Sequence, residues 1–108
     1  MSLRPVEFHV LLALAGEERH GYAILQEVAQ LTGGEIQLEP GTLYRALHRM
    51  LKDGWIAEST RRPAADLDDE RRKYYRLTPL GRRMASAEAD RLWRLVSVAR
   101  SHRLLSRA

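Results

Sequence analysis

Residues 42–55 read TLYRALHRMLKDGW, a run in which apolar and basic side chains recur at helical spacing before a glycine. On a helical wheel the run separates into two faces, because successive residues of an α-helix are rotated by about 100°. The apolar face consists of Leu43, Ala46, Leu47, Met50 and Leu51. The opposite face consists of Thr42, Arg45, His48, Arg49 and Lys52, with Tyr44 at the border. The spacing predicts an amphipathic helix over residues 42–53, with Thr42 as its N-cap and Gly54 as its left-handed terminator.

Two helices are predicted before this run, and a hairpin and a long helix after it. The first covers residues 5–15, which are apolar nearly all round, and the second covers residues 22–31. Strand-like runs occupy residues 55–60 and 73–77, with a polar loop between them. Thr78 and Pro79 then open a helix that could extend to about residue 105. This order predicts a mainly α (α+β) fold: a winged helix-turn-helix with a two-stranded wing and a long C-terminal helix.

Composition excludes several classes of function. The chain of 108 residues has no cysteine, so neither a disulfide framework nor a thiolate metal site is expected. Its histidines lack paired ligand spacing, and no nucleophile elbow or glycine-rich phosphate loop is present, so we expect no enzyme, cofactor or metal. The longest apolar run, residues 10–15, is too short to cross a membrane, and the N-terminus lacks a secretory cleavage region. We therefore expect a cytoplasmic protein.

The basic face of the predicted third helix favours contact with nucleic acid. It carries no carboxylate before Asp53, and the net charge of the chain is +4. An arginine side chain can donate two hydrogen bonds at once to a guanine edge or a phosphate. For an isolated helix, a solvated outer face would be the ordinary alternative. A winged helix that docks a partner protein is a second alternative, but such a surface would more often expose apolar residues.

Four segments of the chain carry a family resemblance. Residues 20–22, 40–47, 53–56 and 72–81 read HGY, PGTLYRAL, DGWI and RKYYRLTPLG. In order and spacing they resemble the PadR family of bacterial transcriptional regulators. The resemblance implies a homodimer that binds a palindromic operator in double-stranded DNA and represses a nearby promoter until a small molecule releases it. It also implies that Tyr44 and its helix neighbours contact DNA, and that the C-terminal region is of the short type, without a separate effector domain.

The loop of the predicted wing combines basic flanks with an acidic tip. The flanks contain Arg61, Arg62, Arg71, Arg72 and Lys73, and the tip contains Asp66, Asp68, Asp69 and Glu70. Because carboxylates repel phosphates, we expect the flanks to approach the DNA backbone while the tip swings away. A calcium-binding loop is the alternative for the tip, although the glycine and the distal glutamate of an EF-hand loop are missing.

The last helix carries an apolar stripe at alternating spacings of four and three. The stripe consists of Ala85, Ala89, Leu92, Val96 and Ala99. A second copy of the helix could cover it in a homodimer, or it could fold back on the first helix of its own chain. We expect a DNA-binding domain over residues 1–77 and a continuous dimerisation helix over residues 78–108. Trp93, on the flank of the stripe, could line a pocket for a small aromatic effector, as in relatives, or anchor the helix to the winged domain.

The segment His20-Gly21-Tyr22 at the start of the second helix allows two interpretations. Free backbone N–H groups there could bind a phosphate. Alternatively, Gly21 permits a turn and Tyr22 packs against the core. The sequence does not separate the two.

Overall fold

The computed structural model describes residues 3–60 and 73–106, which form four helices and one small antiparallel sheet. The elements are α1 (Pro5–Gly16), β1 (Arg19–His20), α2 (Gly21–Leu31), α3 (Pro40–Lys52), β2 (Ile56–Glu58), β3 (Tyr74–Leu77) and α4 (Pro79–Ser101). The predicted fold class, a winged helix-turn-helix followed by a long helix, is confirmed. No helix in the described part of the chain is long and apolar enough to cross a membrane.

Helix α1 lies at the centre of the domain, as its nearly continuous apolar sequence predicts. It packs against α2, α3, β3 and α4. Val10 and Leu11 of α1 are fully buried, as are Leu43 and Met50 of α3. Each such side chain contributes roughly 1.5–3 kcal/mol relative to an exposed position. This shared core holds the apolar face of α3 inward and therefore turns its polar face to solvent.

Helix α3 begins two residues earlier than the sequence pattern predicts. Pro40 occupies its first position, where a missing backbone N–H costs nothing and the fixed φ of proline suits the helix. Thr42 is therefore the third helical residue, and its prediction as the N-cap is wrong. The other end is as predicted: Gly54 has a φ of +78°, which allows Trp55 N to donate to the Met50 carbonyl at 3.0 Å.

The sheet has three strands in the order β1-β3-β2, so the predicted two-stranded wing is joined by one further short strand. In β1, Arg19 pairs with Tyr75 and His20 pairs with Tyr74. Arg19 also donates from Nε to the Ala13 carbonyl at 2.8 Å, which ties this segment to α1. A two-residue strand shows no alternation that could reveal it in the sequence. Strand β1 ends at His20, the N-cap of α2, and so links the start of that helix to β3.

Helix α4 is joined to the winged domain through its first turn. Thr78 is the N-cap, as predicted, and its Oγ1 accepts a hydrogen bond from Gly81 N at 3.0 Å. The same hydroxyl donates to the Gly54 carbonyl at 2.6 Å, which links α4 to the end of α3. Gly81 is buried against the backbone of Trp55. The helix ends at Ser101, short of the predicted residue 105.

Candidate nucleic-acid interface

The outward face of α3 presents the polar residues that the helical wheel placed there. Its exposed members are Tyr44, Arg45, His48 and Lys52, and its half-buried members are Thr42 and Arg49. The helix contains no acidic residue, and its last turn carries two basic ones. Positive charge there is also favourable for the helix, because the C-terminal end of a helix dipole is negative. The face thus offers solvent hydrogen-bond donors and positive charge.

A shallow depression of about 610 Å³ lies on this face. It is lined by Gly41, Tyr44, Arg45, His48 and Arg49. Arg45 makes one long contact, from Nη2 to Thr42 Oγ1 at 3.5 Å, which leaves most of its five donors for another partner. The Tyr44 ring adds an apolar surface beside these donors. Such a lining can bind acceptor atoms, including phosphate oxygens and the edges of bases.

The position of Tyr44 depends on a glycine in α2. A Cβ added at Gly21 would lie 2.5 Å from Tyr44 Oη, so only a residue without a side chain lets the ring rest there. Gly21 is therefore needed for close approach, a role that the sequence did not reveal. Tyr75 is part of the neighbouring core, as expected, and is only 7% exposed. Burial raises the pKa of the Tyr75 hydroxyl, and the charges of Glu58 and Tyr44 raise it further.

The segment at the start of α2 caps its own helix. His20 is the N-cap, and its Nδ1 accepts a hydrogen bond from Ala23 N at 3.1 Å. That imidazole occupies one of the N–H groups that a phosphate would use. Tyr22 is 63% exposed, so the alternative in which it packs against the core is wrong.

Arg49 differs from the other cations of α3 because it faces a buried carboxylate. Its Nε lies 3.8 Å from Oε2 of Glu7, whose side chain is only 7% exposed. This separation suits an ion pair but is too long for a hydrogen bond. The other oxygen of Glu7 accepts a hydrogen bond from Arg4 N at 2.9 Å and so caps α1. Glu7 was not predicted to be a functional residue, although it is the single acidic residue of a mainly apolar helix.

Of the basic wing residues, Lys73 lies within the described part of the chain. It is exposed, and its Nζ is 3.9 Å from Oε1 of Glu58 on β2. The other predicted wing contacts, Arg61, Arg62 and Arg72, lie outside the described residues, as does the acidic tip. Within the described residues, no three His, Asp or Glu side chains are grouped so that they could hold a metal ion.

The apolar stripe of α4 is partly covered by its own chain. Ala85 is half-buried and packs against the core, which is the fold-back that the sequence left open. Farther along, Leu92 and Ala99 are half-buried, Ala89 is exposed and Val96 is 37% exposed. Other exposed apolar side chains surround this part of the helix: Trp93, Leu95 and Val98. The second half of α4 therefore presents an apolar surface that the single chain does not bury.

Trp93 does not anchor α4 to the winged domain. Its side chain is 57% exposed, so the interpretation as a packing anchor is wrong. The guanidinium carbon of Arg100 lies 5.3 Å from the centre of the indole ring, within range of a cation–π contact. Trp93 and Arg100 thus place an aromatic ring and a positive charge side by side on the surface of α4.

Comparison with known proteins identifies the family. The profile described as "Transcriptional regulator PadR-like family" matches residues 10–87. The transcriptional regulator Rv3488 of Mycobacterium tuberculosis (strain ATCC 25618 / H37Rv) is 36% identical over 77 residues, which cover 71% of this chain and 65% of that protein. The chain thus spans slightly less than two thirds of the length of this curated relative.

Two solved structures show the same fold. A PadR family transcription regulator from Clostridium difficile R20291 has a TM-score of 0.75 at 24% identity, covering 90% of this chain and 96% of that one. Bacillus subtilis PadR in complex with operator DNA has a TM-score of 0.65 at 23% identity, covering 78% and 46%. The family profile spans most of the chain, from α1 into α4. The chain therefore belongs to the PadR-like family of transcriptional regulators, which is not a family of enzymes.

Proposed function

We propose that the chain is a sequence-specific DNA-binding regulator that places α3 in the major groove. The observation that carries the proposal is the outward face of α3, where Arg45 and His48 are exposed and no carboxylate is present. In a helix-turn-helix protein the corresponding helix reads base edges. The shared fold with Bacillus subtilis PadR, whose structure contains operator DNA, supports the proposal.

The proposed contacts divide into two groups. The α3 group consists of Thr42, Tyr44, Arg45, His48, Arg49 and Lys52. The wing group would neutralise phosphates beside the groove and consists of Arg61, Arg62, Arg72 and Lys73. Phosphate contacts fix the protein on the duplex, whereas contacts to base edges select the sequence. The centre of a protein-docking surface is usually depleted of charged residues, whereas this face of α3 carries three basic side chains, which favours DNA over the protein-interaction alternative.

We also propose that the regulator is a homodimer formed through α4. The stripe from Ala85 to Ala99 and the exposed Leu95 and Val98 provide an apolar surface of the kind that a second copy covers. A two-fold dimer presents two copies of α3, which fit a palindromic operator with half-sites about one helical turn apart or a multiple of it. Residues 1–77 would then bind DNA while residues 78–108 hold the two copies together.

Repression in the cytoplasm and release by a small molecule complete the proposal. Trp93 supplies an exposed indole on which a planar aromatic effector would stack, close to the proposed dimer interface. A molecule that binds there would change the geometry of α4 and hence the separation of the two α3 helices. Release follows if the operator requires the original separation.

The deciding experiment is selection of bound DNA from a random pool, followed by affinity measurements on the selected sequence at several salt concentrations. We expect an inverted repeat to be enriched. A dimer that makes about 6–10 phosphate contacts should lose about three to five powers of ten in affinity between 50 and 200 mM salt. No enrichment at low salt, with a verified folded protein, would contradict DNA binding and favour a protein-docking module.

A further inference from the structure

Within the residues that the structure describes, Glu7 is the one charged side chain in the buried core. A buried carboxylate is costly unless partners compensate it. One partner is the Arg4 backbone N–H, which donates to Oε1 at 2.9 Å. The other is Arg49, whose Nε lies 3.8 Å from Oε2. The two oxygens therefore serve two elements: one caps α1 and the other faces α3.

Arg49 connects this buried carboxylate to the proposed DNA-binding face. Its Nε is buried and makes no hydrogen bond within the described residues, while its side chain remains 40% exposed. It also lines the depression on the outward face of α3, beside Tyr44 and Arg45. Arg45 and Lys52, by contrast, are exposed and form no ion pair with a carboxylate in the described part of the chain. The Nε side of the Arg49 guanidinium thus faces a buried carboxylate, while the rest of the group reaches the surface.

We propose that Glu7 is a positioning residue that orients the guanidinium of Arg49 for contact with DNA. The inference rests on the proposed DNA binding and deepens it. A guanidinium is planar and donates in a fixed fork, so restraint at Nε restricts the directions in which its terminal nitrogens can donate. A side chain that is already restrained loses less conformational entropy when it binds. Glu7 therefore contributes to operator affinity without touching DNA.

Glu7 also has an opposing effect on DNA binding, because it competes with a phosphate for Arg49, and the experiment must separate the two effects. A carboxylate 3.8 Å from a guanidinium partly cancels the charge that a phosphate would attract. If Glu7 acted mainly as a competitor, its neutralisation would tighten binding. Because Glu7 is buried and its other oxygen is hydrogen-bonded to Arg4 N, the carboxylate itself is fixed in place, and we expect positioning to outweigh competition.

The experiment compares Glu7→Gln, Arg49→Ala and the double variant with the wild type on the selected operator. Glutamine keeps the oxygen that accepts from Arg4 N and removes the charge. We expect Glu7→Gln to lower operator affinity about tenfold, equivalent to about 1.4 kcal/mol, as is common for the coupling of side chains in contact. In the Arg49→Ala background the same change should have no effect. The salt dependence should stay as in the wild type, because the number of neutralised phosphates is unchanged.

Two further variants keep the outcome clear. Glu17→Gln removes the same charge from a carboxylate that is 61% exposed, and it should bind as the wild type does. Arg49→Lys keeps the positive charge but loses the Nε that faces Glu7 and the planar fork, so it should bind at least as weakly as Glu7→Gln. This variant tests the proposal even if Glu7→Gln fails to fold, which urea unfolding would reveal.

Several results would overturn the proposal. Tighter binding by Glu7→Gln would identify a competitor, and an equal loss in both backgrounds would identify a purely structural residue. Wild-type affinity of Glu7→Gln, or of Arg49→Lys, would exclude positioning while leaving DNA binding intact. A wild-type protein that binds no selected DNA would refute the proposed function itself, and with it the positioning role of Glu7.

Discussion

Replacing Gly81 with alanine should destabilise the protein at the junction of α4 and the winged domain. A Cβ added at Gly81 would lie 1.9 Å from the carbonyl oxygen of Trp55 and 2.9 Å from its carbonyl carbon. These are backbone atoms, which cannot rotate away as the end of a flexible side chain can. The start of α4 and the Trp55 segment would have to separate by about 1.5 Å to restore ordinary van der Waals contact.

The magnitude follows from three effects. Overpacking of this kind typically costs about 1–3 kcal/mol. The separation would also stretch two hydrogen bonds, Thr78 Oγ1 to Gly54 O at 2.6 Å and Thr78 N to Trp55 O at 3.2 Å, each worth about 0.5–1.5 kcal/mol. Against this, alanine favours a helix interior over glycine by about 1 kcal/mol, and by less in the first turn. The net expectation is a loss of about 2–3 kcal/mol in the free energy of unfolding.

Urea and thermal unfolding, followed by circular dichroism at one fixed protein concentration, would measure this loss. The melting temperature should fall by roughly 10–20 °C. Gly16→Ala is the matched control, because no atom lies within 4 Å of a Cβ added there, and its stability should stay within about 0.5 kcal/mol of the wild type. Wild-type stability of Gly81→Ala would refute the close approach of α4 to the Trp55 backbone.

Three further predictions concern the DNA contact, the dimer and the core. Arg45→Ala should keep the fold, because the side chain is exposed, and lose about 1–3 kcal/mol of operator affinity if it contacts a base edge; unchanged affinity on selected DNA would place the contact elsewhere. Leu92→Glu with Val96→Glu would bury charge in the proposed dimer interface and give monomers by sedimentation, whereas a wild-type monomer at micromolar concentration would contradict the dimer. Because the pKa of Tyr75 is raised above about 10, the folded state holds that proton more tightly than the unfolded state, so stability should fall as pH rises above 10. Tyr75→Phe should weaken this fall in alkaline urea unfolding, and an identical pH profile would exclude Tyr75 as a cause.

The helices, their caps and the two faces of α3 could be predicted from the sequence, because they depend on residues that are close together in the chain. The split of α3 into an apolar and a basic face reflects interactions at spacings of three and four residues, which the order of residues encodes directly. Thr78 before Pro79, and Gly54 after the last turn of α3, are local end signals of the same kind. Where a local signal was misjudged, as at Thr42, a stronger one stood two residues earlier in Pro40.

Contacts between elements could not be predicted from the sequence, because they depend on how helices and strands pack against each other. Glu7 lies on α1 and Arg49 on α3, and no spacing rule relates two residues so far apart in the chain. The same holds for Gly21 beneath the Tyr44 ring. Each pair exists because the shared core sets the angle and distance between two elements. Close packing fixes that distance to within a few tenths of an ångström. Local sequence thus placed the basic residues on the outward face of α3, whereas three-dimensional packing alone joined Arg49 to a buried carboxylate.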